Sequence, residues 1–146
     1  MSAIRRIVIH CSDSPDTLDI GVREIRQWHV KDRGWSDIGY HAVVRRTGVV
    51  EIGRYEDGDS VLEGKEIGAH VAGQNSDTLA VCWVGRDKPT PEQKLALFRH
   101  VIYLMNVHKI PVERVLGHKE LDAKKTCPNL DMDGFRKSLA AMAAAA

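Results

Sequence analysis

The sequence predicts an α/β fold: one domain with a central mixed β-sheet flanked by helices on both faces. Three observations carry this. Short apolar runs of strand length alternate with stretches of helical periodicity. One pair of strand-like runs is split only by a turn dipeptide, which puts a hairpin into an alternating β/α order. A chain of 146 residues is one ordinary domain, long enough to bury about two-thirds of the surface its unfolded form exposes.

The elements follow in order. Ile4–His10 reads as a buried strand. Val22–Arg33 reads as a helix, with Val22, Ile25 and Trp28/His29 on one face and Gly34 as its stop. Tyr40–Arg45 and Val49–Gly53 form the hairpin around Thr47-Gly48, and Leu79–Val84 is a further strand. The best-marked helix begins at Pro91. Thr90 is its N-cap, Gln93 completes a capping box, Phe98, Val101, Ile102 and Met105 recur at helical spacing, and Pro111 ends it. Val115–Gly117 is a short strand leading into His118. A last helix spans Asp133–Met142. The domain takes in residues 1–146, with its core between about 4 and 139 and an alanine-rich helix tail over Ala140–Ala146.

Composition excludes several classes. Charged residues are 28% and hydrophobic residues 43% of the chain, the balance of a globular protein rather than a disordered one. A formal net charge of +1 and an aromatic content of 5% give neither the basic footprint nor the stacking platform of a nucleic-acid binder. No segment approaches the ~18 apolar residues of a membrane span, and the start of the chain has no signal-peptide pattern. Synthesis and retention in the cytoplasm are therefore expected, with no membrane insertion. Three cysteines argue against a disulfide framework.

Chemistry-bearing residues gather near predicted strand ends, where open α/β sheets assemble their sites. His10 ends the first strand. His118 follows a short apolar run and a glycine, and the loop after it carries Lys124, Lys125, Cys127 and a proline. Such a loop can curl back so that His118 and Cys127 converge on one ion. Two imidazoles and a thiolate suit Zn²⁺, and three protein ligands leave the fourth tetrahedral position open, as in catalytic rather than structural sites. Cys11 is sent to the opposite face from His10 by strand alternation, and Cys82 reads as a small buried hydrophobe. A hydrolase with Cys127 as nucleophile and histidine as base is the competing reading. His41 is expected to face the core, His29 to pack within its helix, and His100 and His108 to be exposed or packing residues.

Six segments then occur in a telling order: Ile-Val-Ile-His10-Cys-Ser, Val22-Arg-Glu-Ile-Arg-Gln-Trp-His29, Gly34-Trp-Ser-Asp-Ile-Gly-Tyr40-His, Gly48-Val-Val-Glu-Ile-Gly-Arg54, Gly68-Ala-His70-Val-Ala-Gly-Gln-Asn75, and Gly117-His118 through Lys125-Thr-Cys127-Pro. Together they resemble the type-2 amidase family of zinc-dependent N-acetylmuramoyl-L-alanine amidases, which spans phage lysozymes and peptidoglycan recognition proteins. The resemblance runs from about Ile7 to Asp131.

The resemblance implies a mixed sheet flanked by helices, one Zn²⁺ ion on His10, His118 and Cys127, and peptidoglycan or a muropeptide as substrate. The bond cut would be the amide between N-acetylmuramic acid and the L-alanine of the stem peptide. It implies catalytic roles for Tyr40 and Lys125 and substrate contacts for His70 and Asn75. The loop from His118 to Cys127 is one residue longer than in the phage members, and the retained Lys-x-Cys spacing selects Lys125 over Lys124. A monomeric phage or prophage endolysin, reaching the cell wall by a route other than a signal peptide, is the expected biology. The alternatives are a non-catalytic peptidoglycan-binding module and a cytosolic muropeptide-recycling amidase. Such modules typically lose the ligand cysteine, and such recycling enzymes usually carry an aspartate in its place.

Overall fold

The computed structural model describes residues 2–145. Its strands are β1 (Ser2–Ala3), β2 (Arg6–Cys11), β3 (Ala42–Val44), β4 (Val50–Ile52), β5 (Val61–Leu62), β6 (Thr78–Trp83) and β7 (Val115–Gly117). Its α-helices are α1 (Val22–Gln27), α2 (Pro91–His108), α3 (His118–Leu121) and α4 (Met132–Ala145). The main sheet has the order β4-β3-β6-β2-β7. Strands β3, β6, β2 and β7 run parallel, and β4 returns antiparallel to β3 as the predicted hairpin. β1 and β5 make a separate two-stranded ribbon, which lacks enough residues to leave a periodic signal in the sequence.

Strands β2 and β6 are covered on both faces, which is why each reads as a nearly continuous apolar run. On one face, Ile7, Ile9, Leu79, Val81 and Trp83 share a core with Leu97, Phe98 and Val101 of α2 and Phe135 and Leu139 of α4. The Phe98 and Phe135 rings stack with centroids 4.7 Å apart, joining the two helices. On the other face, Val43, Cys82 and Val84 meet Val22 and Ile25 of α1, together with Ile38. Helices thus lie on both sides, as the alternation of elements predicts.

Several boundaries differ for physical reasons. The α1 segment continues as a π-helical turn over Trp28–Asp32. That turn shifts the phase of the helix, so His29 is buried while Trp28 faces outward at 37% exposure. Tyr40 lies in the approach to β3 rather than inside the strand. Arg54 fixes that approach. Its guanidinium is buried and donates to the carbonyls of Ile38 at 2.9 Å and of Asp37 at 3.3 Å. Helix α2 ends at His108, three residues before Pro111, because Lys109 takes the left-handed conformation at φ 55°. Its buried stripe is Leu97, Phe98, Val101, Leu104 and His108, so Ile102 and Met105 only flank the core. Helix α4 holds through Ala145, consistent with alanine being the best helix former. Ala146 lies outside the described residues.

The capping box is formed as predicted: Thr90 Oγ1 accepts from Gln93 N at 3.0 Å, and Thr90 N donates to Gln93 Oε1 at 3.1 Å. The fully buried Gln93 amide also donates to the carbonyls of Val44 at 2.9 Å and Val84 at 2.7 Å. It thereby ties the start of α2 to the ends of β3 and β6. Gln93→Leu would leave both carbonyls buried without this donor and is expected to cost about 3 kcal/mol. Urea unfolding measures this; a loss under about 0.5 kcal/mol, the level of a neutral surface change, would contradict it.

Candidate active site

The parallel strands deliver the first two donors. His10 is the penultimate residue of β2, and its register against Cys82 places it on the face that α1 partly covers. His118 follows β7 directly and opens α3. Gly117 is required there for close approach, since a Cβ would stand 2.8 Å from both Met132 Cγ and Pro128 Cδ. The loop after α3 returns on itself: Lys119 N donates to the Cys127 carbonyl at 2.8 Å. This brings the third donor home. One ligand atom each from His10, His118 and Cys127 lies within 4.8 Å of the others. The His10 and His118 ring centroids are 4.6 Å apart, and Cys127 Sγ is 3.8 Å from His10 Nδ1.

Electrostatics prepare these groups as neutral donors. Burial, then the neighbouring imidazoles of His70 and His118, hold His10 well below the usual histidine pKa. Burial also lowers the His118 pKa, helped by Lys125. His29 and His41 are lowered to about 4, and His70 to about 3, each chiefly by burial. The Cys127 thiol is raised by its hydrogen bond with Cys11 and by burial. It therefore becomes a thiolate only beside a bound cation. The Cys11 backbone N–H, 3.1 Å from Cys127 Sγ, is placed to stabilise that anion. Lone-pair imidazoles plus one thiol with an N–H donor fit a borderline-soft divalent ion.

Around this trio lies an open groove of about 690 Å³. Tyr40 lines it, its ring 5.0 Å from that of His10. Burial raises the Tyr40 phenol well above its usual pKa, so the hydroxyl stays protonated. Lys125 also lines the groove, whereas Lys124 does not. His70 and Asn75 border it, with both ring nitrogens of His70 and the side-chain oxygen of Asn75 turned to partners in the protein. Both His70 ring nitrogens are engaged, and Asn75 Oδ1 accepts from the backbone N–H groups of His70 at 3.0 Å and Val71 at 2.9 Å. Cys82 is fully buried and Cys11 belongs to the opposite core, as strand alternation predicts. His41 faces inward, where Nδ1 accepts from Ala80 N at 3.0 Å. His108 is buried, with Nδ1 2.8 Å from Ser60 Oγ.

Residues absent from the sequence-based set complete the walls. Trp28, His29, Arg33 and Trp35 line one side. The Arg33 guanidinium sits 5.2 Å from the Trp35 ring centroid, and His29 Nδ1 accepts from Gly39 N at 2.8 Å. Their placement depends on the π-helical turn, which α-helical periodicity does not reveal. Asp13 and Asn129 stand on the groove as well.

Near Asp13 the rim is held by Asp16, which accepts from the N–H groups of Arg86 at 2.7 Å, Asp87 at 3.1 Å and Lys88 at 3.0 Å. These bonds, that from Arg86 first, lower the Asp16 carboxyl below its ordinary 3.8. Since the folded-state value is the lower one, the stabilisation is present above the ordinary value and lost as pH falls through the lowered one. Asp16→Ala is expected to cost about 1–2 kcal/mol at neutral pH. Its melting temperature should converge with that of wild type on acidification; a gap unchanged by pH would refute this assignment.

Fold and site together give a mixed-sheet α/β domain with a His, His, Cys trio on an open groove, the donor set of a metal-assisted hydrolase class. The chain belongs to the Amidase_2 family, N-acetylmuramoyl-L-alanine amidase, whose model matches residues 1–130. It is 40% identical over 135 residues to the endolysin of Klebsiella phage KP32, covering 87% of this chain and 82% of that protein. Its identity to the endolysin of Escherichia phage T7 is 38% over 134 residues, covering 86% and 81% respectively. Among solved structures, N-acetylmuramoyl-L-alanine amidase LysC from Clostridium intestinale superposes with a TM-score of 0.79 at 27% identity, covering 94% of this chain and 86% of that one. The chain is thus a peptidoglycan hydrolase of the amidase type. No described helix is long and apolar enough to cross a membrane.

Proposed function

We propose that this amidase is zinc-dependent, of endolysin type, and cuts the amide between N-acetylmuramic acid and the stem-peptide L-alanine. One observation carries the reading: three donor atoms of His10, His118 and Cys127 within 4.8 Å of one another, on a groove that Tyr40 and Lys125 also line. Zinc bound there would supply Lewis acidity toward the carbonyl and a bound water of pKa near 7.

The chain's own residues supply the rest. The Lys125 ammonium offers fixed positive charge to the oxyanion that develops during attack. Tyr40, kept protonated by burial, serves as a hydrogen-bond donor to the same oxygen rather than as a base. Trp28, Arg33 and Trp35 form the wall along which the substrate lies. Asn75 shapes the groove edge through its two backbone hydrogen bonds. The amidase's site of action would be the cell wall, as the name endolysin given to its phage relatives suggests.

The test uses purified peptidoglycan, with separate assays for new L-alanine amino termini and for new reducing sugar ends. Amino termini without reducing ends are expected, lost on chelation and restored by zinc. Cleavage that persists in demonstrably metal-free protein would overturn the zinc reading and favour Cys127 as a nucleophile. Bound zinc without cleavage would favour a binding module.

A further inference from the structure

Behind the His, His, Cys trio, four polar groups form a single hydrogen-bonded line. His10 Nε2 lies 2.9 Å from His70 Nδ1, and His70 Nε2 lies 2.9 Å from Thr78 Oγ1. Thr78 Oγ1 in turn donates to the Gln74 carbonyl at 2.8 Å. His10, His70 and Thr78 are all buried.

The direction of every bond in this line follows from elementary chemistry. A carbonyl oxygen can only accept, so the one hydroxyl hydrogen of Thr78 is committed to Gln74. Oγ1 must then accept from His70, which places the hydrogen of that ring on Nε2. Neutral His70 is left with a lone pair on Nδ1 and accepts from His10 Nε2–H. The free lone pair of His10 is therefore on Nδ1, the nitrogen that faces Cys127 Sγ.

We propose that Thr78 and His70 are positioning residues that lock His10 in its Nε2–H tautomer and so present Nδ1 to the metal. A ligand histidine commonly donates its second N–H to a carboxylate or carbonyl, which by itself dictates the tautomer. Here the partner is another imidazole, which both donates and accepts, so it would permit either direction. The hydroxyl of Thr78, oriented by Gln74, removes that freedom. No carboxylate enters the line, so the centre gains no negative charge from behind His10.

The proposal rests on the metal-site reading given above, but its first measurement needs no metal. Long-range ¹H–¹⁵N correlation spectra of the metal-free full chain report the tautomer of each ring. His10 and His70 are both expected as Nε2–H. Thr78→Val removes the hydroxyl at nearly constant shape and should give mixed tautomers at both rings, with zinc affinity lower by about 10–100-fold in chelator competition. Thr78→Ser should restore both properties. His10 found with its hydrogen on Nδ1 in metal-free wild type would overturn the proposal, a result that stands even if Thr78→Val does not fold. A folded Thr78→Val with wild-type tautomers and affinity would overturn it equally. Wild type that shows the expected tautomers but takes up no zinc would sink the metal-site reading instead.

Discussion

Cys127→Ala is expected to reduce amide cleavage to background while leaving the fold intact. Cys127 is the donor that changes charge on binding: a half-buried thiol raised by Cys11 and by desolvation becomes an anion only with a cation beside it. Without it the trio offers two neutral imidazoles, too few ligands to hold an open tetrahedral site. The loss should exceed the ~10²–10³-fold that removing one transition-state donor costs, since both electrophile and nucleophile depend on the same centre. Stability should fall only modestly in the metal-free state, because the side chain flanks the core rather than filling it. Metal analysis, turnover on peptidoglycan and melting of the metal-free proteins check the three parts. Activity within tenfold of wild type would mean that His10 and His118 suffice or that no metal takes part.

Lys125→Met is expected to lower turnover by about 10²–10³-fold with little change in substrate binding. Methionine keeps most of the length and apolar body of lysine and removes only the charge. A group that meets charge present only in the transition state changes kcat and kcat/KM together, whereas one that merely attracts substrate changes KM. Lys124→Met is the control, because Lys124 lies beside the same loop but off the groove. Equal effects of the two substitutions would indicate a diffuse electrostatic contribution and would remove Lys125 from the oxyanion.

Most of the strands and helices were legible in the chain because their signals are local. The runs in β2 and β6 are apolar on both faces, and Thr90, Pro91 and Gln93 mark the start of α2 without help from elsewhere. His10 and Cys127, 117 residues apart, were joined as candidate ligands through the family motifs rather than through residue type alone. Signals were weakest where two segments act on each other. Helical periodicity places Trp28 on the same face as Val22 and Ile25, and the π-helical turn brings it to the groove instead. Thr78 lies just outside the predicted strand Leu79–Val84, and only its neighbours His70 and Gln74 give its hydroxyl a direction.

The sequence by itself determined most of the sheet and helices and the family, and named His10, His118 and Cys127 as candidate donors, because apolar period, caps and family motifs are properties of short segments. Tertiary structure alone decided which nitrogen of His10 faces Cys127, and that His70 spends both ring nitrogens on partners within the protein. Those are matters of direction. A side chain's direction is set by what packs against it from distant parts of the chain, and here the loop returning from α3 and the strand start at Thr78 set it.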